Sequence, residues 1–219
     1  MRKISSYIDH TLLKPTATEE DIKLLCEEAM ENQFYAVCIH GCYVKYAKYL
    51  LKNSEVKVCT VIGFPLGAMA TEAKAFEAKQ AIFDGADEVD MVINIGWAKS
   101  GKFSAIKDEI VAVKRSIGTK ILKVILEICY LTSDEIKQVT QAAIDAKADF
   151  VKTSTGFGTG GASLDAVAEM KEIAKNQIQI KASGGIRDYL TTKSYLDLGV
   201  SRIGTSSGIS ILEGEKSVL

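Results

Sequence analysis

Three charged residues stand where strand-like segments would be mostly apolar: Asp90 in EVDMVI, Lys152 in FVKTS and Lys181 in IQIKASGG. Lys123 in ILKVILE is a fourth. An unpaired buried charge is expensive, so each needs a partner or a purpose. Two arrangements fit. The side chains can face covering helices and form ion pairs, or they can converge on a reactive site. Convergence would have chemical meaning. A lysine amine becomes nucleophilic once it loses its proton, and burial or a second nearby cation favours that loss. A neutral amine condenses with a carbonyl to an imine, and a carboxylate in reach can move protons. Two lysines and one aspartate are the set that imine chemistry on an aldehyde or ketone requires.

The segments that follow these residues are rich in small groups. TGFGTGG follows Lys152, ASGG occupies 182–185, and GTSS occupies 204–207. Glycine lets backbone N–H groups approach an anion, and serine hydroxyls add donors. One such loop is commonplace; three in succession, each after a strand-like run, point to an anionic ligand.

The elements that must position these residues alternate. Strand-like runs fall at Ile8–Leu12, Phe34–Ile39, Val56–Ile62, Glu88–Ile93, Lys120–Leu126, Phe150–Thr153, Ile178–Ala182 and Ser201–Gly204. Near-continuous apolar runs such as VCTVIGF and ILKVILEI fit parallel strands covered by helices. Between them lie helix signals. Thr18 precedes an acidic turn, with Ile22, Leu25, Cys26 and Ala29 then on one face. Thr132 to Glu135 has capping-box spacing, and Ile136, Val139 and Ala143 share a face beyond it. Eight strands alternating with helices predict a closed (β/α)8 barrel, read as a single α/β domain over 1–219. An open doubly wound sheet is the rival; no GxGxxG follows the first strands. AIFDGADEVD (81–90) also matches AIDAKADFVK (143–152) without a gap, placing Asp90 and Lys152 at equivalent positions of strands four and six. Alternate strands share layers in such barrels, so this pair is expected to point inward at similar height.

The chain has 219 residues, 47% hydrophobic and 25% charged, with a formal net charge of −1. That balance argues against nucleic-acid binding through bulk electrostatics. No apolar run reaches the length of a membrane span, and no apolar stretch follows the basic N-terminal residues as a signal peptide requires. Five cysteines without paired spacing read as reduced thiols of a cytoplasmic protein. CIHGC (Cys38, His40, Cys42) could offer zinc ligands, but a structural site usually needs four, so ordinary buried thiols and a loop histidine are the expectation.

DHTLLKPTAT, EVDMVINIG, FVKTSTGF and IKASGGIR, in this order along the chain, resemble the 2-deoxyribose-5-phosphate aldolases, class I aldolases with a (β/α)8 fold. The resemblance covers essentially the whole chain. It implies that Lys152 forms the Schiff base, that Lys181 is the second lysine, that Asp90 is the acid/base and that Lys123 supports the site. It implies phosphate contacts at Gly156, Gly184, Gly185, Ser206 and Ser207. It further implies small sugar-phosphate and aldehyde substrates, no cofactor or metal, and a homo-oligomer, dimer or tetramer. Two departures stand out. Some members carry a lysine where this chain has Phe157, and some end in a tyrosine absent from ILEGEKSVL. Three rival functions remain at this level: a transaldolase-like Schiff-base enzyme, a non-catalytic sugar-phosphate-binding barrel, and a zinc-dependent aldolase built on the CIHGC cluster.

Overall fold

A computed structural model describes residues 3–218; Met1, Arg2 and Leu219, the ends of the expected 1–219 domain, lie outside the described residues. Eight parallel strands pair in sequence order and close, β8 returning to β1. They are β1 (Ile8–Leu12), β2 (Ala36–His40), β3 (Lys57–Ile62), β4 (Glu88–Val92), β5 (Ile121–Ile125), β6 (Phe150–Lys152), β7 (Gln179–Ser183) and β8 (Arg202–Thr205). Helices α1 (Glu19–Glu31), α2 (Val44–Leu50) and α3 (Thr71–Phe83) follow the first three strands. The short α4 (Ile95–Lys99) and long α5 (Phe103–Ile117) both follow β4. Then come α6 (Ser133–Asp145), α7 (Leu164–Ala174), α8 (Tyr189–Asp197) and α9 (Gly208–Val218). The architecture is the (β/α)8 barrel, and the open-sheet rival is excluded by the β1–β8 pairing.

All eight expected strands form, with ends shifted by at most two residues. The reason at β2 is local. The Phe34 N–H closes the end of α1 on the Ala29 carbonyl, so its neighbourhood is a helix terminus and not yet a ladder. At β6, Thr153 still donates its N–H to the Lys181 carbonyl beyond the formal end of the strand. The expected capping box forms at Thr132 with Glu135, and a second forms at Thr18 with Asp21.

Two layers of burial result from strand alternation. One face of each strand meets the helices, where Ile106, Ile110 and Val113 of α5 and Ile22 and Ala29 of α1 are fully enclosed. Burying such aliphatic side chains contributes roughly 1.5–3 kcal/mol each. The other face fills the barrel. There Ala36, Cys38, Cys59 and Val61 make a small apolar arc on the β2–β3 side, closed by Leu13. Much of the remaining interior is ionic, with Phe150 packed among the charged groups. Among the described residues no helix is long and apolar enough to cross a membrane.

Candidate active site

Inward-facing positions carry the charges. Glu88 and Asp90 alternate on β4, Lys123 sits on β5, Lys152 on β6, Lys181 on β7, Arg202 on β8 and Asp9 on β1. Register sets their meetings. Asp90 lies beside Lys123, and Lys152 beside Lys181. Asp90 Oδ1 accepts from Lys123 Nζ at 2.8 Å, and Oδ2 accepts from Lys152 at 2.8 Å and Lys181 at 2.9 Å. The Cys59 thiol adds a hydrogen bond to Oδ1 at 3.1 Å. Lys181 also donates to Asp9 Oδ2. Asp9 Oδ1 pairs with Arg202 at 3.0 Å, and Glu88 Oε2 pairs with Arg202 at 3.2 Å and with Lys123 at 2.6 Å. The Arg202 guanidinium is stacked 3.4 Å over the Tyr35 ring.

Lys152, Lys181, Asp90 and Lys123 therefore converge, and the arrangement with ion pairs facing the helices does not occur. Asp9, Glu88, Arg202 and Cys59 were not singled out from sequence. The period-2 rule would have found Glu88, two residues before Asp90 on the same face. Arg202 and Asp9 sit inside strand-like runs, where any charge is a signal.

The electrostatics divide the cluster. Burial works to raise the Asp90 pKa, but the ammonium groups of Lys123, Lys152 and Lys181 outweigh it and hold the carboxyl well below the usual range. Burial works against the Lys181 charge, but the Asp9 and Asp90 carboxylates win and raise its pKa well above the lysine norm. Lys123 is raised in the same way, burial again being overcome by Asp90 first. The expectation that a neighbouring lysine depresses Lys181 is therefore not met. Lys181 is a fixed cation beside Lys152, not a second neutral amine.

Lys152 is also distinguished by position. It lines a cavity of about 220 Å³ at the C-terminal mouth of the strands, where none of Asp9, Asp90, Lys123 or Lys181 reaches the wall. Gly156, Gly184, Gly185 and Ser206 line the same cavity. The three glycines have φ of 85°, 93° and 81°, a backbone open to glycine and strained for other residues. Ser207 is not in the wall, and its N–H is engaged by Thr205 Oγ1 at 2.9 Å. Lys14 and Arg187 also line the cavity, and among the described residues no carboxylate does. Phe157, half exposed, packs edge-on against Phe64, which packs in turn against His40. A larger concavity of about 810 Å³ opens beside Tyr35, Gln179 and Arg202, and none of the candidate residues reaches it.

The CIHGC residues do not converge. Cys38 is buried inside the barrel, His40 Nε2 lies 2.9 Å from the Leu13 carbonyl, and Cys42 is exposed. Cys38 instead groups with Cys59 and Asp90, with ligand atoms within 4.8 Å of one another. Asp90 already serves three ammonium groups there. The Cys38 thiol is lowered to about 7, chiefly by the adjacent Cys59 and then by Lys181 against the effect of burial.

An amine at a cavity floor, a carboxylate that can accept its proton, and an anion-favouring wall can together bind an anionic carbonyl compound and condense with it. The cluster also fixes a pH dependence. Burial raises the Asp9 pKa, but Lys181, Arg202 and Lys123 bring it well below the ordinary value. A depressed carboxyl stabilises the fold above its unfolded pKa of about 3.9 and loses that contribution as pH falls toward the folded value. Asp9→Asn therefore destabilises by about 3–5 kcal/mol at pH 7. The gap to the wild type shrinks below about pH 4. Urea unfolding of both proteins from pH 3 to 8 checks this; a gap independent of pH would refute it.

A DeoC/LacD family aldolase model matches residues 3–212. A deoxyribose-phosphate aldolase of Brevibacillus brevis is 51% identical over 214 residues, covering 98% of this chain and 97% of the relative. A counterpart from Deinococcus radiodurans is 49% identical over 211 residues, 96% of each chain. Among solved structures, the tetrameric deoxyribose phosphate aldolase of Aeropyrum pernix superposes with a TM-score of 0.90 at 34% identity, covering 99% of this chain and 92% of the other. The chain belongs to the DeoC/LacD family of aldolases.

Proposed function

We propose that the chain catalyses the reversible cleavage of 2-deoxy-D-ribose 5-phosphate to acetaldehyde and D-glyceraldehyde 3-phosphate. The observation that carries this is that Lys152 alone of the buried charge cluster faces a cavity walled by glycine and serine loops. Relatives of that named activity at about half identity over nearly the whole chain support it.

In this mechanism Lys152 gives its proton to Asp90 Oδ2, 2.8 Å away, directly or through water. The free amine attacks the aldehyde carbon of the open-chain sugar, and loss of water gives an iminium. A base takes the C3 hydroxyl proton, the C2–C3 bond breaks, and its electron pair neutralises the iminium as an enamine. Glyceraldehyde 3-phosphate leaves. Protonation of the enamine carbon and hydrolysis release acetaldehyde and restore Lys152. Asp90 moves the protons, and its proton affinity rises at the enamine stage, when one of its three cationic neighbours has lost its charge. Lys181 stays charged and holds Asp90 in place. Lys123 holds Oδ1 from the other side. The chemistry calls for no metal or organic cofactor.

The phosphate is held by N–H groups at Gly156, Gly184 and Gly185 and by Ser206 just before α9, while Ser207, outside the wall, keeps that turn in place through Thr205; Lys14 and Arg187 add positive charge at the rim. Phe157 contributes no charge, so the backbone carries more of the recognition than in members with lysine there. A cytoplasmic location agrees with five free cysteines. A homo-oligomer agrees with the tetramer of the Aeropyrum relative and with Phe76 and Phe83, one heptad apart on α3 and 71% and 83% exposed.

Borohydride with acetaldehyde or deoxyribose 5-phosphate is expected to fix the added mass on Lys152, as peptide mapping reads out. Lys152→Arg loses both trapping and activity, since a guanidinium stays protonated; full activity in that variant would eliminate the imine route. Lys181→Leu retains Lys152 but has lower activity and a pH optimum moved upward, because a cation beside the amine is gone and Asp90 is left to favour its protonated form. Gly185→Val places a side chain where nothing lies within 4 Å and where φ is +81°. It is expected to raise KM for deoxyribose 5-phosphate at least about tenfold while deoxyribose itself changes little; equal losses would make the loop structural. Sedimentation is expected to give a dimer or tetramer whose mass falls in Phe76→Asp/Phe83→Asp; a wild-type monomer would count against the oligomer.

A further inference from the structure

Glu127 is a buried carboxylate that the reaction as described does not use. It follows β5 at the cavity end of the barrel, is 2% exposed, and has left-handed backbone angles of φ 56° and ψ 62°. A non-glycine residue held there costs of order 1–3 kcal/mol, which the surroundings must over-determine. No lysine or arginine is within ion-pair distance of it among the described residues. What it holds is the loop after β6. Its Oε1 accepts the Thr155 N–H at 3.1 Å, and its Oε2 accepts the Thr155 hydroxyl. Thr155 Oγ1 in turn accepts the Phe157 N–H at 3.0 Å.

Gly156 lies between those two anchored residues. Its φ is +85°, it lines the cavity, and a Cβ there would meet nothing within 4 Å. Its N–H donates to no protein group among the described residues. The loop is also pressed onto its anchor from beyond. A Cβ on Gly158 would come within 2.8 Å of Cys129 Sγ and 3.2 Å of Glu127 Cδ. Hydrogen bonds to an ionised acceptor are about twice as strong as neutral ones, so a carboxylate fixes the loop more firmly than an amide would. Burial raises the Glu127 pKa, against the Thr155 hydrogen bonds and the pull of Lys152.

We propose that Glu127 is a positioning residue for phosphate recognition: it grips Thr155, and through it Phe157, so that the intervening Gly156 N–H is presented to the substrate's phosphate. This rests on the aldolase reading given above. Glu127 touches neither the reacting carbon nor the phosphate.

The test compares Glu127→Gln, Thr155→Val and Thr155→Ser with the wild type. Deoxyribose 5-phosphate, unphosphorylated deoxyribose and inorganic phosphate as a competitive inhibitor are the probes. Glu127→Gln leaves the Thr155 hydroxyl without its acceptor, and Thr155→Val removes that hydroxyl. Both are expected to raise KM for deoxyribose 5-phosphate and Ki for phosphate by about tenfold, the scale of one hydrogen bond to a charged group. Their kcat/KM on deoxyribose stays within about twofold, and acetaldehyde with borohydride still labels Lys152. Thr155→Ser keeps the hydroxyl and restores the phosphate terms. Should Glu127→Gln not fold, Thr155→Val tests the same link from the other side. Equal losses on both sugars, or an unchanged Ki for phosphate, would overturn the positioning role while the aldolase reading stands. A wild type that neither labels nor turns over deoxyribose 5-phosphate would instead sink the reaction, and this inference with it.

Discussion

Asp90 receives three ammonium groups in a space with no water-facing surface, and the interior of this barrel is organised around making that tolerable. A buried carboxylate alone would be neutralised by protonation. Here Lys123, Lys152 and Lys181 keep it ionised. Those lysines then need further counter-charges, which Asp9 and Glu88 supply, and Arg202 completes the set. Asp9, Glu88 and Asp90 balance Lys123, Lys181 and Arg202 one for one. Lys152 is the remaining member, and it is the one at the cavity wall. A barrel whose interior is neutral without Lys152 is a suitable host for an uncharged amine.

The fold makes this arrangement through its regularity. Parallel pairing staggers the strands so that inward residues from alternate strands such as β4 and β6 share a layer, and the ionic side chains take the places that aliphatic residues usually occupy. On the β2–β3 side the interior remains small and apolar, with Ala36, Cys38, Cys59 and Val61. Charge and hydrocarbon thus occupy opposite arcs of one barrel. Cys59 stands at the boundary, packed with the apolar group while its thiol meets Asp90. At the rim the division repeats, with Lys14 and Arg187 around the glycine loops and Leu13 and Phe157 elsewhere in the wall.

What could be read in the sequence follows from range. Alternation of apolar runs and capped amphipathic stretches is local, and it placed eight strands and the closed barrel. The gapless match of 81–90 with 143–152 carried a tertiary statement, that Asp90 and Lys152 point inward at similar height, because the two strands repeat the same helix–turn–strand unit. Lys181 was legible for a similar reason: a charge inside an apolar run just before a glycine pair. Glu88 was passed over because it opens its strand, where a polar residue is unremarkable. Arg202 and Asp9 are nearly two hundred residues apart in the chain, and only closure of β8 on β1 makes them neighbours. The fixed charge of Lys181 depends on Asp9 for the same reason, so the expectation that Lys181 would be depressed was natural and is not met. Glu127 lies outside the strand, in a conformation that no period announces. CIHGC looked like a cluster because three residues at period 2 would share one face of a strand, yet β2 ends at His40 and the chain turns through Gly41–Tyr43, carrying Cys42 out to the surface.

The one-for-one balance has a consequence for the way charge moves during turnover. The iminium proposed at Lys152 places one unit of positive charge in an enclosed space, and carbon–carbon cleavage moves that unit rather than removing it. As the C3 hydroxyl proton passes to Asp90, the iminium becomes a neutral enamine while the cluster keeps the same net charge. The surroundings meet only a short displacement of charge from nitrogen to proton, which fixed ions tolerate without moving any atom of their own. The reverse condensation returns the proton along the same path, and the buried ions hold the electrical level constant in both directions.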